Sequence, residues 1–224
     1  MNIYLHNRKS FAFLIIIVGL FLGASNVRAL TLSPIRVEVS GNPGDTVKSE
    51  MTITNESDGQ MNYYSSYANF EASGETGNPS FIKATNDIGT WITTDEVVPL
   101  KPNESKIVSF SVKIPESAEP GGHYGAIFWS STNDAQASAG VGVSAKTGIL
   151  VLLSVNGNVK EGGGLLDFTR KDNKIFYNTL PASFSYRFKN DGGDRIKPVG
   201  KITMHDLFYI PEDSIDANKG GGNI

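Results

Sequence analysis

The sequence predicts an all-β protein built as antiparallel sandwiches, and three observations support that class. Apolar and polar residues alternate over residues 47–54 and again over 108–114, which is the period of a half-buried strand. Turn-forming residues cluster between such runs, as in Gly41–Asp45 and Glu56–Gly59. After residue 29, no segment keeps apolar residues at helical spacing for three turns.

The first 29 residues have the pattern of a signal peptide. Arg8 and Lys9 precede the apolar run Phe11–Ala24, and Val27–Ala29 supplies the small residues of a cleavage site. The apolar run of 14 residues fits the ~7–15 of a signal-peptide core and is shorter than the ~20 needed to span a bilayer. We therefore expect export with cleavage after residue 29. The alternative is an uncleaved membrane anchor over Asn2–Leu22.

Composition limits the classes of function. Removing the signal takes away three basic residues and no acidic one, so the formal charge changes from −3 to −6. A mildly acidic surface without a basic run predicts no nucleic-acid partner. Cysteine is absent, so the fold has no disulfides and the chain has no thiolate chemistry. Together with the signal, this favours a bacterial envelope or surface protein.

A domain boundary is predicted near residue 160. Ile149–Val155 is the most hydrophobic run after the signal, and its seven residues suit a strand buried on both faces rather than a membrane span. The glycine-rich stretch 156–164 follows and has the composition of a hinge. The chain thus divides into a signal peptide (1–29), a first sandwich (30–160) and a second sandwich domain (161–224).

The second domain is predicted to be incomplete. Its strand patterns number about four, over residues 165–168, 175–177, 184–188 and 196–204. Four strands are too few to close a sandwich, and a half sandwich leaves an apolar edge exposed. The hypothesis is a truncated gene product or fragment that lacks the last strands of this domain, and membrane anchoring of the longer protein is left as an open alternative.

Short motifs along the chain resemble those of one known group of proteins. They are Leu32–Ile35 (LSPI), Asn42–Asp45 (NPGD), Thr52–Asn55 (TITN), Pro120–Ala126 (PGGHYGA) and Lys197–Ile202 (KPVGKI). Together they resemble the exported immunoglobulin-like domains of bacterial surface proteins, in particular the WxL-interacting proteins, over about residues 30–210. This resemblance implies an immunoglobulin-like sandwich followed by a second one. It also implies peptidoglycan or another surface protein as the partner.

Four tyrosines are the candidates for ligand contact: Tyr63, Tyr64, Tyr67 and Tyr124. Adjacent residues of a strand point to opposite faces, so Tyr63 and Tyr64 cannot both face a core. At least one tyrosine of this group is therefore exposed. An exposed aromatic ring can stack on the apolar face of a sugar much as aromatic rings pack on one another.

Other chemically capable side chains are assigned structural roles. His123 and His205 have no partner at metal-ligand spacing, and His123 is predicted to be solvated in a turn. No G-x-S-x-G motif is present. Solvated loop positions are predicted for Asp87, Asp95 and Glu96, core positions for Trp91 and Trp129, and a long connecting loop for residues 134–142. No enzyme activity, metal or cofactor is expected.

We therefore expect a non-catalytic protein of the cell envelope or surface that binds cell-wall glycan or another surface protein. One alternative is a periplasmic pilus-type chaperone, a class that holds the terminal carboxylate of a subunit with an arginine and a lysine. Arg36 matches the arginine, but no lysine is identified. A structural spacer of a membrane-anchored surface protein is another alternative. A secreted hydrolase is opposed by the missing catalytic group.

Overall fold

The structure is a computed structural model that describes residues 30–73, 78–132, 145–170, 183–205 and 208–219. The predicted signal peptide, the predicted loop 134–142 and the predicted strand 175–177 lie outside the described residues. The described residues form 14 strands and one helix of four residues, α1 (Ile88–Trp91). This confirms the all-β class.

Two sheets form an immunoglobulin-like sandwich. The four-stranded sheet has the spatial order β1 (Leu30–Ser33), β3 (Thr46–Asn55), β8 (Ser105–Lys113) and β6 (Ile92–Thr94). The six-stranded sheet has the order β2 (Arg36–Gly41), β10 (Thr147–Val155), β9 (Gly121–Ser130), β4 (Met61–Ser73) and β5 (Asn78–Lys83), with β7 (Val97–Leu100) also pairing with β4. These orders match the A-B-E-D and C-F-G sheets of immunoglobulin-like domains.

The first strand of the sandwich changes sheets halfway along its length. β1 pairs antiparallel with β3, whereas β2 pairs parallel with β10, with Leu150 opposite Arg36. The crossing lies at Pro34 and Ile35, and the Ser33–Pro34 peptide is cis. Proline has no N–H to donate, so its place between the two sheets costs no ladder hydrogen bond. The sandwich therefore has one parallel pair at an edge of an otherwise antiparallel sheet.

The core lies between the two sheets, and the predicted alternation places its side chains there. Met51 and Ile53 of β3 face the core, as do Val108, Phe110 and Val112 of β8, and Trp129 of β9 is completely buried. Trp91 packs half-buried against this cluster. Each fully buried aliphatic side chain contributes roughly 1.5–3 kcal/mol, so this core can stabilise the sandwich without disulfides.

β10 confirms the prediction of a strand that is buried on both faces. Ile149, Val151 and Leu153 point into the core, and Leu152 on the opposite face is only 8% exposed. Its neighbours β2 and β9 flank it in the sheet. The hydrophobic run is thus explained by the sheet itself. Among the described residues, no helix is long and apolar enough to span a membrane.

The described residues after 160 form two separate two-stranded sheets. β11 (Gly163–Arg170) pairs with β12 (Phe184–Asn190), and β13 (Gly200–His205) pairs with β14 (Pro211–Ala217). The sequence patterns predicted β11 to β13 approximately but missed β14. None of the described residues from 156 onward is fully buried. The division into two domains and the incompleteness of the second stay predictions.

Candidate functional site

The structure separates the four predicted contact tyrosines. Tyr64 and Tyr124 lie on the outer face of the six-stranded sheet, away from the core. Tyr67 packs against the core, where its hydroxyl accepts a hydrogen bond from the Thr94 N–H at 3.2 Å. Tyr63 is only 4% exposed, and burial raises the pKa of its phenol. Tyr63 and Tyr67 therefore offer little surface to a ligand.

Asn55 provides the hydrogen-bond partner that the hydroxyl of the buried Tyr63 needs. The Tyr63 hydroxyl donates to Asn55 Oδ1 at 2.8 Å, and the Ser57 hydroxyl donates to the same oxygen at 2.6 Å. Asn55 Nδ2 donates to the carbonyls of Gly59 and Lys101 at 2.8 and 2.9 Å. A fully buried amide with its donors and acceptor all used is a structural tie between the end of β3 and two loops.

Three phenylalanines join Tyr124 in an aromatic cluster on the outer face. Phe70 lies 5.7 Å from Tyr124 and 6.0 Å from Phe81, and Phe81 lies 5.0 Å from Phe128, measured between ring centroids. The two contacts of Phe81 are edge-to-face, with interplanar angles of 67° and 78°. These rings pack against one another and do not form the flat platform on which a sugar ring stacks. Sequence reasoning missed the cluster because its members come from three strands.

The edge of the six-stranded sheet is open at the strand switch. The Leu150 N–H donates to the Ile35 carbonyl at 2.9 Å, and the pairing of β2 with β10 begins there. In the part of the chain that the structure describes, no strand lies along residues 147–149 on that side. The Ile35 side chain beside them is 78% exposed. An apolar side chain therefore adjoins an unpaired length of backbone.

Two arginines share one carboxylate next to this edge. Arg36 Nη2 lies 3.1 Å from Glu38 Oε1, and Arg195 Nη2 lies 3.3 Å from Glu38 Oε2. The Arg36 side chain is half exposed, whereas that of Arg195 is largely covered. Sequence analysis found no second cation near Arg36, because Arg195 is far away in the sequence and only the fold brings it to this position.

Asp194 attaches the Arg195 segment to the outer face. Its carboxylate accepts hydrogen bonds from the hydroxyls of Ser154 and Tyr124, and the Arg195 N–H donates to the Tyr124 hydroxyl at 3.1 Å. Burial raises the pKa of Tyr124, and the negative charge of Asp194 raises it further. Tyr124 thus stays a neutral phenol that joins the first sandwich to the later part of the chain.

The prediction that His123 is a solvated turn residue is wrong, because β9 already begins at Gly121. The imidazole is 13% exposed, with Nδ1 2.5 Å from Asp87 Oδ1 and Nε2 2.8 Å from the Glu119 carbonyl. The Trp91 ring lies 4.9 Å from it. The hydrogen bond to Asp87 raises the pKa of His123 against the opposing effect of burial.

Asp87 is likewise no free loop acid. Its carboxylate accepts the Ile88 N–H at 2.7 Å and caps α1. Burial alone would raise the pKa of Asp87, but the hydrogen bond and charge of His123 outweigh burial and lower it. Asp95 and Glu96 are exposed, as predicted.

The described polar contacts of both histidines are hydrogen bonds within the fold. Both nitrogens of His123 already have partners, so neither is free to take a proton from a nucleophile. His205 Nδ1 lies 3.1 Å from the Tyr209 carbonyl, and Asp206, the next residue in the sequence, is outside the described residues. No group of three metal-ligating side chains occurs in the described ranges. The His123–Asp87 contact is therefore a hydrogen bond within the fold that becomes an ion pair when the imidazole is protonated.

No family model matches this sequence, and no curated protein matches it. The chain is similar in fold to the class 5 fimbriae chaperone CfaA, with 12% identity, 88% of this chain and 82% of the other covered, and a TM-score of 0.49. For a CFA/I fimbriae chaperone–tip adhesin complex, the corresponding values are 11%, 88%, 81% and 0.47. For a PapD-like domain of human CEP192, they are 11%, 60%, 96% and 0.39. These likenesses concern the fold class alone.

Proposed function

We propose that this chain is an exported, non-catalytic module that binds an extended segment of another envelope or surface polypeptide. The binding site is the edge of the six-stranded sheet beside Ile35 and residues 147–149. The observation that carries the proposal is the unpaired backbone at this edge next to an exposed apolar side chain. The export in this proposal rests on the signal peptide predicted over residues 1–29.

Backbone pairing supplies the affinity in this proposal. An open sheet edge presents N–H and C=O groups that an incoming strand satisfies, as in other cases of strand addition. A segment paired alongside Gly148 lies next to Ile35. Because alternate side chains of a strand point to the same face, the partner needs an apolar residue at every second position there. The partner is therefore an extended, alternating segment.

Arg36 supplies a charge preference. Its guanidinium contacts one oxygen of Glu38, and Arg195 holds the other oxygen. With about half of its side chain in solvent, Arg36 can accept a second carboxylate, and arginine binds carboxylates in a bidentate geometry. A partner that ends in a free carboxylate, or carries an acidic residue at that place, fits best. This favours the assembly-chaperone alternative over glycan binding.

Peptide binding tests the proposal. Fluorescent eight-residue peptides of alternating valine and serine, with either a free or an amidated carboxyl terminus, are titrated with the exported protein. We expect at least tenfold tighter binding of the free acid and loss of this difference in Arg36→Ala. Ile35→Asp should abolish binding of both peptides. Lys106→Ala is the matched control, because it deletes a cation on the four-stranded sheet. This variant should bind as the wild type does.

Purified peptidoglycan sacculi provide the opposing measurement. Sedimentation of the protein with sacculi that is unaffected by Arg36→Ala and Ile35→Asp, together with no peptide binding, would overturn the proposal in favour of glycan binding. Retention that is lost in Phe81→Ser would then assign the glycan to the aromatic cluster.

A further inference from the structure

The His123 side chain is placed between two groups that can only accept hydrogen bonds. Asp87 contributes a carboxylate oxygen at 2.5 Å, and Glu119 contributes a backbone carbonyl at 2.8 Å. Each contact therefore requires a proton on the imidazole nitrogen that makes it, and only the charged imidazolium carries both protons. The geometry of this site consequently selects the protonated form of His123. Trp91, 4.9 Å away, presents an aromatic ring to that cation.

Protonated His123 connects three segments of the sandwich. Asp87 lies at the start of α1 with a φ of 59° and is bonded to the Ile88 N–H as well as to the histidine. Glu119 precedes β9, and its carbonyl bond to the histidine four residues later closes a tight loop. The histidine thereby holds residue 119 just before β9, whose first residues Gly121 and Gly122 pair with β10.

This loop is the surface on which a later part of the chain docks. The Gly122 N–H donates to the Gly193 carbonyl at 2.9 Å. Gly121 has a φ of 130°, and a Cβ atom built there would lie 2.6 Å from the same carbonyl oxygen. The turn 190–195 therefore sits directly on the start of β9, next to the segment that His123 holds. On the other face of β9, Asp194 and Arg195 of that turn contact Tyr124, Ser154 and Glu38.

We propose that His123 is a pH-sensitive latch that, when protonated, holds residues 119–122 in the shape that docks the turn 190–195 on the sandwich. Loss of the proton leaves one of its two acceptors without a donor, so the loop relaxes and the turn is released. The charged groups that act on the imidazole are Asp87 at the start of α1 and Glu119 on its own loop. Asp194 and Arg195 contact the neighbouring Tyr124, whose side chain points to the opposite face.

The direction of the switch follows from these partners. The contacts that raise the pKa of His123 keep the latch closed below and around its ordinary value of 6.5, and the latch opens as the pH rises through the raised pKa. An exported protein meets the pH of its surroundings. The released turn carries Arg195 away from Glu38, which changes the charge arrangement beside Arg36.

Nuclear magnetic resonance of the exported protein tests the latch. The imidazole ring protons of His123 report its titration, and the hydrogen-exchange protection factor of the Gly122 amide reports docking. We expect His123 to titrate above 6.5 and Gly122 protection to fall about two- to fivefold over the same pH range. His205→Gln removes the other histidine of the exported chain, so the remaining imidazole signal belongs to His123. This variant should leave the His123 titration and the pH dependence of Gly122 protection unchanged.

Asp87→Asn is the sharpest variant, because asparagine caps helices and tolerates a positive φ. It removes the carboxylate charge, so the His123 midpoint should move to lower pH, and the fall in Gly122 protection should move with it. In His123→Gln, Gly122 protection should be low and independent of pH.

Three results would overturn the latch. One is titration of His123 at or below 6.5, and another is constant Gly122 protection while His123 titrates. The third is an unchanged pH dependence of Gly122 protection in His123→Gln. The first two need only the wild-type protein, so the test stands even where a variant fails to fold.

Discussion

The sandwich of residues 30–155 and the strands of 163–217 share a sequence pattern but differ in burial. In the sandwich, two sheets face each other and completely bury residues such as Trp129 and Ile53. In the later region, Leu165 and Ile215 are about half exposed although they lie on paired strands. Alternation is sufficient to form a paired strand. Burial requires two sheets that face each other closely enough to exclude water, and among the described residues only the sheets of the first region do so.

The later region has an apolar groove instead of a closed core. Phe168 stacks on Phe184 with ring centroids 5.4 Å apart, and both line a groove of about 480 Å³ between the two hairpins. Val199 and Ile202 line the other side. The same kinds of side chain thus contribute differently to the free energy of unfolding in the two regions, and substitutions can measure that difference.

The largest expected difference comes from deleting one aromatic side chain in each region. Trp129→Ala should lower the free energy of unfolding by about 3–5 kcal/mol, because it leaves a large cavity in a closed core. Phe168→Ala, at a side chain that is 45% exposed, should lower it by less than about 1 kcal/mol. Urea denaturation of both variants measures this. Equal losses would show that the later region contributes a core of its own.

A second comparison uses two asparagines that bond to backbone carbonyls. Asn55→Ala should cost about 3 kcal/mol, because it leaves buried partners such as the Tyr63 hydroxyl unsatisfied. Asn218, whose Nδ2 donates to the Pro198 carbonyl at 3.1 Å in the later region, should cost about 0.5–1 kcal/mol when changed to alanine. Thermal unfolding of the two variants decides. A small loss for Asn55→Ala would contradict its role as a buried tie.

Substitution of Gly121, which contacts the turn 190–195, should weaken the contact between the two regions. Gly121→Ala places a side chain on a backbone with a φ of 130° and against the Gly193 carbonyl, at an expected cost of about 1–3 kcal/mol. Exchange protection of the Gly122 amide should fall while protection of β3 and β8 persists. Gly164→Ala on β11, where a Cβ atom meets nothing within 4 Å, is the control and should leave Gly122 unchanged. Loss of protection throughout the sandwich would show that the junction is part of its core.

The smallest expected effect is the pH dependence of the His123–Asp87 pair. His123 has a raised pKa, so its stabilisation is complete below about 6.5 and is lost as the pH rises through the raised pKa. Asp87 has a lowered pKa, so its stabilisation is present above about 3.9 and is lost as the pH falls through the lowered pKa. The pair therefore stabilises most between these values.

The partial exposure of Asp87 limits the contribution of that pair to about 0.5–1 kcal/mol. The difference in unfolding free energy between wild type and Asp87→Asn, followed from pH 3 to 9, measures it. A difference that does not change with pH would exclude the ion pair as its source.

The sequence predicted the strands wherever a half-buried face leaves an alternating pattern. This applies to β3 and β8, and the short run Ile149–Val155 correctly predicted β10. β14 was missed because PEDSIDA offers one large apolar residue and three acids, so it has no alternation to detect. The strand switch at Pro34 was also missed, since sequence periodicity does not say which of two sheets a strand joins.

Site residues were predicted less well, because their roles depend on neighbours distant in the sequence. Because successive side chains of a strand point to opposite faces, the sequence correctly placed Tyr63 and Tyr64 on opposite faces. It did not say that Tyr63 faces inward. His123 was assigned to a solvated turn because Asp87, its partner, is 36 residues away. The peptidoglycan-binding family and the incomplete second domain stay predictions.

The sequence by itself predicted an export signal, and it determined the all-β class and the faces of the main strands. These properties depend on hydrophobic runs, turn residues and a two-residue period, which are local along the chain. Only the tertiary structure decided that Arg195 reaches Glu38 and that Tyr124 meets a turn 71 residues later. Such pairs depend on strand order and register, because the same alternating strand can pair with many neighbours. The open sheet edge, the contact of two arginines with Glu38 and the contact of His123 with Asp87 all belong to this second kind of property.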